Sequence, residues 1–531
     1  MKWKIVTADG DAVCRQYPVG RLAGALLAAA GADSQQIQEL LEEDMPLGTS
    51  QAECVLSACQ RIQKAAANHE KVMIAGDYDC DGVCATAIMK DTLDRLGVVN
   101  GYYIPDRFRE GYGLAAHTVE LAKQKGYSLL ITVDNGVKAH AALKCANALG
   151  LETIVTDHHQ IEEEVETGLL VHPSKMEEDY CYLSGAGVAL QISRNLLGTV
   201  ELHTALAALA AVGDVMPLWK QTRRIVKAGF AAVNSGFAPS ILPLLQGRQM
   251  DYESAGFQAV PRLNSVGRMN DLSNVNTLVP YLLCHDPGKI SRYASQLETV
   301  NSTRRQLSEM MSAKAGKMLD DSPFYVLYDE SFAEGICGLV AGRIANEYHR
   351  PVLVMASHED LIKGSGRSVP GFNLFDFFAS GFEELTAFGG HEQAVGLALK
   401  KTDFESFRAK VEAKMAASGF AYQEAEETAV SFDPALLTLD ELRQWKRLDP
   451  WPREFGQGLI AIAHPRVLKV LEGPKVTKIV IASDAGPLEG IFFSYQKLVV
   501  PEQIGAIIAH PGIHTWRSTS SVQLQIVDFV A

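Results

Sequence analysis

A chain of 531 residues is too long for a single hydrophobic core and calls for several domains. Its 47% hydrophobic and 21% charged residues are ordinary for a globular protein in water, and no apolar run is long enough to predict a membrane span. A net charge of −14 excludes a uniformly basic nucleic-acid binder, though not a local basic groove, and bound divalent cations would offset part of it. The start MKWKIVTADGDAVC has no apolar secretory segment, and nine cysteines without a CxxC pair form no disulfide framework, so the expected compartment is a reducing cytoplasm.

Residues 1–50 read as a helical lead-in, with RLAGALLAAAG apolar and QQIQELLEEDMP amphipathic. From residue 71 strands and helices alternate: KVMIA, a helix through VCATAIMKDTLDRLG, VVNGYYIP, a second helix, SLLITV, a third helix, then LETIVT. That alternation predicts a parallel α/β domain over 51–225. Residues 226–322 are mainly helical, with SRYASQLETVNSTRRQLSEMMSAKAGKMLDD as a long connector. A second, smaller α/β domain follows over 323–417. Short β-type runs over 428–531 predict a small C-terminal β-barrel.

Chemistry-bearing residues fall just beyond the strand ends. In GDYDCDG, Asp77, Asp79 and Asp81 alternate in an apolar setting, and their mutual repulsion asks for a cation bound through oxygen. An EF-hand is excluded, because the twelfth residue from Asp77 is Ile88 and a strand precedes the loop; a plain Asx-rich turn is the bland alternative. Asp134 in VDNG, a single acidic residue after a strand, is by itself most often a helix N-cap. Asp214, inside the small-apolar stretch ALAALAAVGDVMPL, needs a cation, a strong donor or an arginine. TDHHQ places Asp157, His158 and His159 at the carboxyl end of a strand, where open parallel sheets hold ligands. Asp79, Asp81, Asp134, His158 and Asp214 together could hold two ions about 3.5–4 Å apart, as in-line phosphoryl displacement uses. The imidazole favours Mn²⁺ over Mg²⁺ without excluding either, and His159 stays free to meet a phosphate oxygen. Cys80 and Cys84 beside this cluster read as buried thiols.

GDYDCDG, VDNG, the triplet Asp157-His158-His159 and VGDVMPL, in this order, resemble the motifs of the DHH phosphoesterase superfamily. YIPDRFREGYGL, SGAGVAL and PRLNSVGRMND are more closely similar to the RecJ family of single-strand-specific exonucleases. GSGRS and FGGHEQAVGLAL look like that family's DHHA1 half, and the C-terminal barrel resembles its OB-fold. The resemblance implies metal ligation by Asp79, Asp81, Asp134, His158 and Asp214, with Asp77 as ligand or supporting partner, and catalytic roles for His159, Asp157 and Asp134. It further implies nucleotide or phosphate binding by Arg107, Arg268, Arg343, Ser365, Arg367, Gly389, Gly390 and His391. The barrel has no obvious aromatic stripe; Phe492 and Trp516 are its candidates for base stacking by their aromatic character. FGQGLI stands where the family usually carries a Gly-Asn-Pro turn, a departure at the entry to the barrel.

The implied activity is metal-dependent 5′→3′ hydrolysis of single-stranded DNA to mononucleotides, in repair and recombination. The implied enzyme is a monomer with no membrane attachment, served by a helicase and a single-strand-binding protein. An oligoribonuclease, a cyclic-dinucleotide phosphodiesterase or a pyrophosphatase is the competing reading, opposed by the middle motifs and the terminal barrel. A non-catalytic scaffold is opposed by the full set of carboxylates.

Overall fold

A computed structural model describes residues 2–42, 46–106, 113–424, 426–455, 458–493, 496, 498–517 and 519–530. The chain divides into two compact units. One comprises 49–215 and 228–423, the other 1–48, 216–227 and 424–531.

The first unit holds two five-stranded sheets. In one, all strands are parallel, in the spatial order Val99–Tyr103, Lys71–Ala75, Leu129–Val133, Glu152–Thr156 and Leu169–Val171. KVMIA, LLITV and ETIVT are continuous β-rich apolar runs because helices cover both faces of such a sheet. The chain starts at Lys71–Ala75, adds Val99–Tyr103 on one side, then crosses to Leu129–Val133 on the other. That reversal opens a crevice at the carboxyl ends of Lys71–Ala75 and Leu129–Val133. Helices Cys80–Arg95, Gly185–Leu197 and Glu201–Gly213 pack together behind it. Buried His203 links all three, with Nδ1 2.7 Å from Ser193 Oγ and Nε2 2.8 Å from the Asp91 carboxylate.

The long connector is the 30-residue helix Pro287–Gly316; Asp286 caps it and Pro287 occupies its first turn. It leads to the second sheet, in the order Leu385–His391, Ala394–Lys400, Leu361–Arg367, Val352–His358 and Tyr325–Tyr328. Only the last two strands pair in parallel. A phenylalanine cluster around Phe324, Phe377, Phe378 and Phe407 fills the core of this half.

The other unit is built on an eight-stranded sheet with an OB-like C-terminal part. The lead-in differs from expectation here. Lys2–Val6 is a strand, not part of a helical segment, and pairs in parallel with Glu426–Ser431. Its partner lies more than 400 residues away, so nothing local announces the pairing. Leu22 and Leu26 join the core of the same unit, and the Leu22 N–H donates to the Glu441 carboxylate at 2.6 Å. Residues 216–225, expected to end the first α/β domain, and 226–227, expected to begin the connector, belong to this unit instead. The Arg223 guanidinium is fully buried and donates to the carbonyls of Leu448 (2.8 Å) and Pro450 (2.5 Å). Among the described residues no helix is long and apolar enough to cross a membrane.

Candidate active site

The crevice is built around the loop that follows Lys71–Ala75. Asp77 is buried, and Gly82 gives it room, since a Cβ there would lie 2.6 Å from the Asp77 Cβ. Asp79 caps helix Cys80–Arg95, accepting the N–H of Asp81 at 3.0 Å and of Gly82 at 3.1 Å. Negative charge is favoured at that helix terminus. Asp81, in the helix's first turn, accepts the N–H of Gly185 (2.6 Å) and of Ala186 (2.7 Å) through its two oxygens. A second helix N-terminus, Gly185–Leu197, therefore anchors a second carboxylate. Gly185 is required for another reason: a Cβ on it would lie 2.5 Å from the Asp134 Cβ. Behind the loop, Asn264 Oδ1 accepts the Cys80 N–H at 2.7 Å, and the backbone of Gly267 leaves no space for a side chain against the Tyr78 carbonyl.

Asp134 follows Leu129–Val133 with φ +60°, a left-handed conformation that is uncommon outside glycine and concentrates at functional sites. Asp214 ends helix Glu201–Gly213, and Val215 after it has φ +55°. The strand before the histidines stops at Thr156, as its alternation requires. His158 then turns Nε2 toward Asp134 (3.2 Å), Asp214 (3.4 Å) and Asp81 (3.6 Å). Asp157 faces the other way. One oxygen accepts the backbone N–H groups of His158 (2.8 Å) and His159 (3.1 Å) and meets His159 Nδ1 at 2.8 Å; the other accepts the Val137 N–H at 3.0 Å. Asp157 thus orients His159. A cavity of about 340 Å³ opens beside His159, lined by Gly113, Leu114, Ala116, Gly136 and Val137 among others.

Electrostatics describe a site short of positive charge. Burial, reinforced by neighbouring Asp81, Asp79, Asp77 and Asp157, pushes the Asp134 carboxyl far up. Burial and Asp81 raise Asp79, and burial with Asp81 and Asp79 raises Asp214 to about 7. Burial pushes His158 down toward the neutral ligand form. Burial works against the His159 cation too, but the hydrogen bond and charge of Asp157 outweigh it and lift that imidazole to about 8.

Three groups bring their ligand atoms within 4.8 Å of one another: Asp77–Asp79–Asp134, Asp81–His158–Asp214 and Asp134–His158–His159. Buried Asp134 Oδ1 and His158 Nε2 face each other, yet neither makes a hydrogen bond. Oxygen donors with one imidazole suit Mn²⁺ or Mg²⁺. The donor set fits.

The DHH family, N-terminal domain, matches residues 71–213, and the DHHA1 domain matches 321–417. The single-stranded-DNA-specific exonuclease RecJ of Bacillus subtilis (strain 168) is 30% identical over 99% of this chain and 70% of its own length. The chain belongs to the RecJ family. RecJ of Escherichia coli (strain K12) is 29% identical over 90% of this chain and 89% of its own. A crystal structure of exonuclease RecJ bound to manganese is 31% identical, covers 71% of this chain and 97% of that one, and superposes with a TM-score of 0.64. The RecJ fold extends over the whole chain: the crystal structure of Thermus thermophilus RecJ in complex with Mn²⁺ covers 100% of it and 79% of its own chain, at 24% identity and TM-score 0.86.

The remaining RecJ-type positions are less concentrated. Arg268 is half-buried at the end of helix Val260–Arg268, directly after Gly267 at the carboxylate loop. Ser365 and Arg367 lie on one strand, and Arg367 donates to Ser365 Oγ at 3.0 Å. Gly338, on the facing helix Glu334–Tyr348, leaves the room they need: a Cβ would lie 2.9 Å from both. Arg343 is exposed on that helix. Gly389, Gly390 and His391 are exposed on the edge strand Leu385–His391, and Gly390 has φ +144° with no space for a side chain. Arg107 lies outside the described residues, as does the side chain of Trp516. Phe492 is a correction. It is 4% exposed, packs edge-on to Phe529 in the core of the OB-like fold and offers no face to a base. FGQGLI falls partly outside the described residues. Asn264, Gly185, Ala186 and Gly338 received no role from the sequence; the signal was present for two motifs, SGAG and PRLNSVG, without a physical assignment.

Proposed function

We propose that this RecJ-family chain hydrolyses single-stranded DNA from the 5′ end, releasing mononucleotides, with two divalent cations, Mn²⁺ or Mg²⁺. The observation that carries the reading is the convergence of Asp134, Asp81 and Asp214 on His158 Nε2, with His159 beside them. Asp77, Asp79, Asp81, Asp134, His158 and Asp214 are the residues to hold the cations. Bound there, divalent cations supply a water acidic enough to attack near neutral pH and positive charge for the developing phosphorane.

The chain's own residues do the rest. His159, held protonated by Asp157, donates to a non-bridging oxygen of the scissile phosphate from the open side of the site. Two helix N-termini keep Asp79 and Asp81 fixed, so little reorganisation accompanies the reaction. Arg268, Arg343, Ser365, Arg367 and the strand end Gly389–His391 hold the DNA, Gly390 by close backbone approach and the arginines by their forks. The reading includes a monomeric, cytoplasmic enzyme assisted by a helicase and a single-strand-binding protein.

The test is digestion of 5′- and 3′-labelled single-stranded DNA with Mn²⁺ or Mg²⁺, beside duplex, RNA and a dinucleotide. Immediate release of labelled mononucleotide from the 5′ label alone is the expected result. Activity confined to the dinucleotide would replace this reading with a small-substrate phosphodiesterase.

A further inference from the structure

Helix Pro287–Gly316 carries an anomaly on its packed face. Residues seven apart on a helix point within about 20° of each other, so Leu297, Arg304 and Met311 form one line. Leu297 and Met311 are buried. Beside Leu297, Glu298 pairs at 2.6 Å with Arg262, on the helix that props the carboxylate loop. At the other end, the Met311 sulfur accepts the Ala333 N–H at 3.4 Å and joins the core of the second α/β half. Arg304 stands between these two anchorages, about 10 Å along the axis from each. It sits where the connector passes from one half to the other.

An apolar residue would suit a packed stripe, yet the line is interrupted by a half-buried guanidinium. Arg304 Nη2 donates to Asn301 Oδ1 at 2.8 Å, while its Nε is buried with no partner among the described residues. Asn301 is 3% exposed and so fixes the fork. No carboxylate among the described residues lies within ion-pair distance of Arg304. Burial and the adjacent Arg305 both push its pKa down. The neighbouring arginines show the usual solution: Glu298 serves Arg262 at 2.6 Å and Arg305 at 2.9 Å. A half-buried cation with no anion beside it has fork atoms left to offer, and a guanidinium fork fits a phosphodiester.

We propose that Arg304, oriented by Asn301, contacts a backbone phosphate of the single strand as it passes between the two α/β halves. The inference rests on the reading of the chain as a single-strand exonuclease. The contact is to phosphate, so it adds grip without sequence preference.

Arg304→Gln and Arg304→Lys are compared with wild type on a labelled single-stranded oligonucleotide between about 50 and 200 mM salt, and on a dinucleotide. Arg304→Gln is expected to raise KM for the oligonucleotide about tenfold and to reduce the log–log salt slope by about 0.7, the value for one phosphate of a single strand. Its kcat, its dinucleotide hydrolysis and its melting temperature stay at wild-type values, and Arg304→Lys restores most of the slope. A wild-type KM and slope in Arg304→Gln would overturn the proposal. So would equal losses on both substrates with a lowered melting temperature, which would make Arg304 a packing residue. A wild-type enzyme inert on the oligonucleotide but active on the dinucleotide would sink the exonuclease reading itself, and this inference with it.

Discussion

In the parallel-sheet half, Asp77, Asp81, Asp134 and Asp157 are each at most 2% exposed, whereas in the mixed-sheet half Arg343, Gly389, Gly390 and His391 are exposed. The buried carboxylates are pinned by backbone: Asp79 and Asp81 by helix termini, Asp157 by three N–H groups, Asp134 by a left-handed turn against Gly185. The more open second half is held differently: Arg367 donates to the Ser365 Oγ at 3.0 Å and the Gly366 carbonyl at 2.7 Å, on a strand and not at a helix terminus. A site that concentrates negative charge must be held rigid, because misplacement by about 1 Å costs rate steeply. A surface that grips a moving strand must let go after every cleavage, so each of its contacts is individually dispensable. The comparison therefore predicts large losses on one side and small ones on the other.

The largest effect is expected from Asp134→Asn. Removing the carboxylate that faces both His158 and the Asp77–Asp79 pair should cost about 10³-fold or more in rate, equivalent to several kcal/mol of lost charge stabilisation. The same variant should melt higher than wild type in chelator, because one of the crowded carboxylates is gone. Activity assays and thermal melts with and without Mn²⁺ check both halves of this prediction; a variant that loses activity and also melts lower would deny the crowding.

Next is Gly185→Ala. The added methyl would sit 2.5 Å from the Asp134 Cβ and 2.8 Å from its Cα, and relief would also disturb the two N–H groups on Asp81. About 10²-fold lower activity and about 1–3 kcal/mol lower stability are expected. Retention of full activity would show that the helix terminus is not what positions these two ligands.

These two residues also mark what could be read from the chain alone. Asp79, Asp81, Asp134 and His158 announced themselves because each follows an apolar strand, and strand ends in a parallel sheet share one rim. Gly185 and Asn264 did not, since they reach the loop across 104 and 184 residues and their contribution is a backbone N–H or a capping oxygen rather than a titratable group. Lys2–Val6 was invisible as a strand for the same reason: five residues pair only with a partner at the far end of the sequence. Phe492 misled because an aromatic on a β-strand looks alike whether it faces core or solvent, and only the register decides.

A third, smaller effect separates the ionic crowd from the fold. In metal-free protein Asp214 titrates near 7 and His159 near 8, both above their ordinary values of 3.8 and 6.5. Each binds its proton more tightly folded than unfolded, so the stability it contributes is fully present below the unfolded value and is lost as pH rises through the folded one. Melting temperature in chelator should therefore climb as pH falls from about 8, the folded value of His159, toward about 4, near the unfolded value of Asp214. With Mn²⁺ added the carboxylate part of this gradient should flatten. Scanning calorimetry at matched ionic strength measures it, and a flat profile in chelator would contradict the shifts.

The smallest effect sharpens the comparison most, because it repeats the glycine experiment in the other half. Gly338 relates to Ser365 and Arg367 as Gly185 relates to Asp134: a Cβ on it would lie 2.9 Å from the Arg367 Nη2 and the Ser365 Oγ. Here, however, the crowded atoms are the far ends of side chains, which can swing aside, where at Gly185 they are the Cα and Cβ of a buried ligand. Gly338→Ala should raise KM for single-stranded DNA about three- to tenfold through displacement of the fork, leave kcat unchanged and shift the melting temperature by no more than about 2 °C. Arg367→Ala should give the same pattern, and the double variant should be no worse than either single one, since both remove one interaction. Steady-state kinetics on one oligonucleotide decide it. Additive losses would mean that Gly338 supports something besides Arg367, and a fall in kcat would bring the mixed-sheet half into the chemistry as well as the grip.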